Sequence, residues 1–232
     1  MRIAVMQPYL LPYLSYFQLI AAVDKFILLD DVHYINKGWI NRNRLLQNDN
    51  VITFTIPLKK ASQNKLIKDL EISYEANWQT KLLKTIAMAY SKAPYFHAVY
   101  PIVVQVLSAN ETRIAGLVYS SLLRVLEYLG IDTEIMPSSV GYANGHLRAQ
   151  NKILDICLQE KANEYVNPLG GTALYEKSLF NQYGVGLLFL EPTLAEYEPS
   201  SSNHVPGLSM LDVMMHNSPE HIRQMLRQYR FA

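Results

Sequence analysis

Two short apolar runs with one amphipathic stretch between them constrain this chain more than any other feature. Residues 3–6 and 25–30 have strand length, and their apolar residues are contiguous, as in strands covered on both faces. From Tyr13 the apolar residues recur at helical spacing through Leu14, Phe17, Leu19, Ile20 and Val23. Pro12 stands just ahead, suited to a first helical turn, where its missing N–H is no loss. Strand, helix and strand within about thirty residues predict a βαβ unit and hence a parallel sheet. Open sheets of this kind bind ligands beyond the C-terminal ends of their strands. Gln7-Pro8-Tyr9 and Asp30-Asp31 stand at such ends.

The remaining chain continues in the same style. Residues 51–58 read as a strand, and 66–72 as another after a polar loop. Helical spacing marks 78–90, a helix is expected to start near Pro101, and 114–129 reads as a strong helix closed by Gly130. A strand at 133–137, a turn at 141–145 and a helix at 147–159 follow. Next come a strand at 164–166, the loop Asn167-Pro168-Leu169-Gly170-Gly171, a helix at 173–182 and a buried strand at 186–190. A flexible loop at 200–203 and two short helices, 209–216 and 219–229, close the chain. The expected class is α/β. One domain over 1–232 has a mainly parallel sheet flanked by helices, and the helix-rich section 75–130 is a candidate insertion.

With 232 residues, of which 50% are hydrophobic and 18% charged, the chain can bury a sizeable core. A net charge of +1 is not the basic footprint of a general nucleic-acid binder, so an anionic ligand must meet a local cationic cluster. The lone Cys157 leaves no internal disulfide and reads as a small core residue. No stretch approaches the ~18 contiguous apolar residues of a membrane span. The first residues lack the basic flank, apolar block and cleavage site of a signal peptide. The expected location is cytoplasmic.

The densest chemistry lies in GWINRNR, residues 38–44. Trp39 offers a flat face, and Arg42 and Arg44 offer planar forks for phosphate or carboxylate. Asn41 and Asn43 add donors and acceptors, and Gly38 permits close backbone approach. A solvated cationic loop is the plainer reading. The tight mixture of Trp, Asn and Arg favours a site for an anionic small molecule, with Arg42 as the anion contact. Gln7, directly after the first strand, can read a polar ligand edge in either direction. Tyr9 and Tyr13 either present hydroxyls to that ligand or pack between helix and sheet. Asp30 and Asp31 have several readings: oxygen ligands for a divalent metal, partners for a sugar hydroxyl, a base, or simply a cap on the next turn. His33 follows them and is a second candidate base. The six histidines, His33, His97, His146, His204, His216 and His221, show no metal-ligand spacing. Ser209 suits a helix N-cap, with Asp212 as its capping-box-like partner.

The runs MQPYLLPYLSYFQLI, VDKFILLDDVHYINKGWINRNRLL, YSKAPYF and VPGLSMLDVM resemble the WbqC-like protein family over essentially the whole chain. The resemblance implies a part in bacterial O-antigen and other surface-polysaccharide biosynthesis, without a defined reaction. The start of the chain and the late loop-to-helix LSMLD are also similar in layout to HIGH-type nucleotide-binding folds. That likeness implies a HUP/nucleotidyltransferase-like sheet. Such folds hold phosphate with two histidines at the first helix N-terminus. Tyr13 and Tyr16 fill those slots here and supply hydroxyls but no imidazolium, which counts against adenylyl transfer. Three functions compete: a transferase acting on a nucleotide-activated sugar or related phosphorylated metabolite, a non-catalytic scaffold of a polysaccharide assembly complex, and an acyl or aminoacyl transferase modifying an amino sugar. The first leads, with Arg42 and Arg44 on phosphate, Trp39 stacking, and Asp31 or His33 as base.

Overall fold

The computed structural model of this protein describes residues 1–75, 77–193, 205 and 207–232. The expected loop at 200–203 and His204 lie outside the described residues. In chain order the strands are β1 (Arg2–Met6), β2 (Lys25–Leu28), β3 (Arg42–Gln47), β4 (Asn50–Thr55), β5 (Glu134–Met136), β6 (Glu164–Pro168), β7 (Gly186–Pro192) and β8 (Tyr229–Phe231). The α-helices are α1 (Leu14–Ala21), α2 (Trp78–Tyr90), α3 (Phe96–Ser108), α4 (Ile114–Leu129), α5 (Ala149–Gln159), α6 (Lys177–Gln182), α7 (Met210–His216) and α8 (Pro219–Met225).

Six strands form the central sheet in the order β5-β2-β1-β6-β7-β8. Every pairing is parallel except β7 with β8. Numbered within the sheet, the order is 3-2-1-4-5-6, and it reverses between β1 and β6. That reversal is where doubly wound sheets open a crevice. The two faces carry separate cores, because side chains alternate along each strand. Ala4, Phe26 and Leu28 face α1, α4 and α7, whereas Ile3, Val5 and Ile27 face α5 and α6. Both faces are therefore dry, which is why the strands read as unbroken apolar runs.

Several expected elements form as read. Trp78, Leu82, Ile86 and Tyr90 give α2 its buried stripe, and Gly130 closes α4 with φ +62°. Ser209 caps α7 by accepting from the Leu211 N–H at 3.2 Å. Asp212, its expected partner, is fully buried and accepts from Tyr90 Oη at 2.8 Å.

Other segments differ from expectation. The cationic run at 42–44 is not a loop but the start of β3, paired antiparallel with β4 in a separate hairpin. Asn48 and Asp49 turn that hairpin with φ of +48° and +61°, as residues tolerant of left-handed backbone do in two-residue hairpin turns. Residues 66–72 are not a strand. Ile67 and Leu70 plug the core through a 3₁₀ turn, and isolated bridges at Leu66, Glu71 and Ile72 remain. Pro101 lies inside α3 rather than at its start, since Val99, Val103, Val106 and Leu107 form a buried stripe that carries the helix through it. The expected helix at 173–182 breaks at Tyr175, whose hydroxyl meets that of Tyr165 at 3.1 Å in the core below. Pro12 stands two residues ahead of α1 because its carbonyl accepts from the Met210 N–H. The last expected helix ends at Met225, and β8 follows. No helix among the described residues is long and apolar enough to cross a membrane.

Cys157 is fully buried, and burial pushes its thiol up to about 12. It should not react with Ellman's reagent at pH 8 until the chain is unfolded, when one thiol per chain should titrate. Lys25 and Tyr142 donate to Glu160 at 2.8 and 2.6 Å. Burial pushes this carboxyl up, but the two hydrogen bonds outweigh burial and hold it below its ordinary value of 4.5. A carboxyl lowered in the folded state contributes stability above its unfolded value and loses it as pH falls through the folded one. Urea titrations of Glu160→Gln should therefore show a flatter decline of stability than wild type between about pH 5 and pH 3.

Candidate functional site

The site grows from the end of β2. Alternation continues past Leu28, so Leu29 packs on the α5 core and the carboxylates diverge. Asp30 goes to the α4 side and Asp31 to the α5 side. Each meets a serine from the end of β5. Asp30 Oδ1 accepts from Ser138 Oγ at 2.7 Å and from the Ser139 N–H at 3.1 Å. Asp31 Oδ1 accepts from Ser139 Oγ, and its Oδ2 accepts from Lys152 Nζ at 2.6 Å. The Lys152 and Asp31 side chains are only 5% and 9% exposed. Asp30 is also buried, and loss of solvent pushes its carboxyl up against the pull of the two serines.

Two hollows flank this wall. One, about 480 Å³, lies on the α5 side and is lined by Asp31, His33, Lys68, Arg148 and Lys152 among others. It sets one carboxylate against three cations besides the imidazole. Arg148 is held over it by its donation to the Gly145 carbonyl at 2.7 Å. No side chain caps the N-terminus of α5 there. The other hollow, also about 480 Å³, lies on the α4 side and is lined by Asp30, Glu111, Arg113, Gly116, Tyr119 and Ser138 among others. Lys68 and Val140 belong to both.

The other expected residues gather elsewhere on the same sheet edge. Arg42 and Arg44 stand over the Trp39 ring, 5.9 and 5.2 Å from its centroid. Arg44 Nη2 donates to the Gly207 carbonyl at 2.9 Å. Arg42 Nε is buried and has no hydrogen-bond partner among the described residues. The Leu10 N–H donates to the Trp39 carbonyl at 3.0 Å and seats the Gln7–Pro12 loop against the hairpin. In that loop Tyr9 packs on Tyr16 with centroids 5.5 Å apart, and Tyr16 Oη donates to the Gln7 carbonyl at 2.8 Å. Burial raises the Tyr9 and Tyr13 hydroxyls, and Tyr13 adds to the rise at Tyr9. Asn41 and Asn43 are both buried and hold backbone. Asn41 donates to the Ile56 carbonyl, and Asn43 to those of Leu10 and Leu11.

So Asp31 and His33 share one hollow, Asp30 lines the other, and Gln7, Tyr9, Tyr13, Trp39, Asn41, Arg42, Asn43 and Arg44 line neither. Among the described residues no three His, Cys, Asp or Glu side chains are grouped to hold a metal ion. Sequence reading missed Lys152, Arg148, Ser138 and Ser139. A lysine beside Ile153 and Ile156, on the face that α5 buries, was the available signal. At the reversal point the Asn167 amide donates to Tyr165 Oη at 2.7 Å, and its carboxamide oxygen fills the space where a side chain on Gly171 would begin.

Removing either partner of a buried ion pair leaves an unpaired charge, at a cost of about 3–5 kcal/mol. Asp31→Ala and Lys152→Ala should each lower urea stability by about that amount. The double variant should lose clearly less than the sum of the two.

A model of the WbqC-like protein family matches residues 7–224. The chain is 24% identical over 229 residues to uncharacterized protein Rv1507c of Mycobacterium tuberculosis (strain ATCC 25618 / H37Rv), covering 96% of this chain and 97% of that one. No solved structure matches it. Matched along nearly its whole length, the chain belongs to the WbqC-like protein family.

Proposed function

We propose that the protein is a cytoplasmic transferase of bacterial surface-polysaccharide (O-antigen) assembly that acts on a nucleotide-activated sugar or related phosphorylated metabolite. The observation that carries this reading is the α5-side cavity, where Arg148, bonded to backbone carbonyls, adds a positive charge to Lys68 and Lys152, which are paired with Asp69 and Asp31, and an uncapped helix N-terminus opens. Such a surplus of cations and free N–H groups suits phosphate. Asp31, tied to Lys152 and Ser139, holds the ammonium in place, which leaves the exposed His33 imidazole as the base at the rim. Trp39 and the Arg42 guanidinium beside it would meet the nucleotide end of the ligand, with Arg44, Gln7, Tyr9 and Tyr13 around them and Asn41 and Asn43 holding backbone there. The strand order 3-2-1-4-5-6 supports a HUP-like reading of a single domain with the 75–130 helices inserted.

Thermal-shift titration with nucleotide diphosphate sugars and free nucleotides tests this. A ligand at 100 times its Kd should add about 2.7 kcal/mol of stability. Arg148→Ala and Arg42→Ala should each weaken that ligand about tenfold or more, which corresponds to about 1.4 kcal/mol for one lost phosphate contact. The absence of any shift across the panel would overturn the transferase reading in favour of a scaffold.

A further inference from the structure

The α4-side hollow differs in chemistry from its neighbour, although the two share a wall. Its charged lining is balanced, with Asp30 and Glu111 against Lys68 and Arg113. Lys68 is partly neutralised by Asp69 at 2.9 Å. No cation surplus exists here to hold a phosphate. Instead the hollow offers both kinds of partner: the carboxylate acceptors of Asp30 and Glu111 and the N–H donors of Lys68 and Arg113, with Ser138 and Thr112 beside them. Asp30 Oδ1 takes all the hydrogen bonds its carboxylate makes with described residues. Glu111 Oε1 accepts from Ser120 at 3.2 Å, and its Oε2 reaches over Gly116. A side chain at 116 would begin 2.8 Å from that oxygen, so glycine keeps this side of the hollow clear. Half-buried Tyr119 adds an aromatic side chain to the lining.

Donors and acceptors together beside an aromatic side chain suit a ring that is apolar on its faces and rich in O–H or N–H groups at its edge. We infer that this hollow binds a sugar with free hydroxyl or amino groups, the acceptor of the group that the adjoining cavity delivers. The term acceptor rests on the transferase reading above, but the sugar site itself does not. Asp30 and Asp31 then serve different hollows, in keeping with their divergence at the end of β2. Asp30 meets the sugar, and Asp31 organises the cationic cavity. The Ser138–Ser139 segment between the two carboxylates is the partition.

Saturation-transfer NMR of the full chain with millimolar D-glucosamine or N-acetyl-D-glucosamine reads the sugar site directly. The wild type should give saturation transfer to at least one of them. Glu111→Gln and Tyr119→Ala should reduce that signal at least fivefold, while the thermal shift produced by nucleotide sugars stays. Glu111→Gln is close to isosteric and keeps the test valid should Tyr119→Ala unfold. Saturation transfer without any nucleotide shift would leave the sugar site standing and remove the cationic-cavity reading. A nucleotide shift with no saturation transfer, or saturation transfer indifferent to both substitutions, would overturn the sugar site.

Discussion

A lysine ammonium and an aspartate carboxylate 2.6 Å apart, both nearly shut off from solvent, organise the C-terminal edge of the sheet. Neither charge is tolerable there alone, because desolvation of an isolated ion costs several kcal/mol. Their mutual attraction and the Ser139 hydroxyl make the arrangement stable, and both depend on close geometry. The pair therefore fixes the depth and rotation of α5 against the end of β2. Arg148 and the free N-terminus of α5 follow from it, and so does the cationic cavity. Had Lys152 been exposed, Asp31 would be an ordinary strand-end carboxylate and the cavity would have no floor.

The fold was legible where one local rule dominated. Apolar runs between a helix of clear period placed β1, α1 and β2, and a glycine in left-handed backbone marked the end of α4. Legibility failed where tertiary partners decide the backbone. The run at 66–72 is apolar enough for a strand, yet Ile67 and Leu70 point into one core and force a turn. Tyr175 breaks a helix because its ring and hydroxyl are held by Tyr165. At the site, the acidic pair and His33 could be found because they follow a strand directly. Their partners Lys152, Ser138 and Ser139 come from more than a hundred residues later, and only the fold brings them near.

The dense GWINRNR run shows how one composition serves two purposes. As an alternating strand, β3 must send successive side chains to opposite sides. Asn43 goes inward and satisfies two carbonyls of the tight turn before α1. Arg42 and Arg44 go outward and stack on Trp39. Asn43 thus shapes the loop that sits against the Trp39 backbone, and Asn41 holds Ile56 just past β4. A polar residue near a site can be a brace instead of a contact, and the partners its side chain already holds tell which.

At the sheet's reversal point, the carboxamide of Asn167 stands in the volume that any side chain on Gly171 would claim. Its nitrogen is anchored to Tyr165, so it cannot swing aside without abandoning a buried phenol. A β-carbon at position 171 would thereby force the carboxamide from its place and cost its bond to Tyr165, a restriction imposed by a neighbour's amide and not by the glycine's own backbone angles.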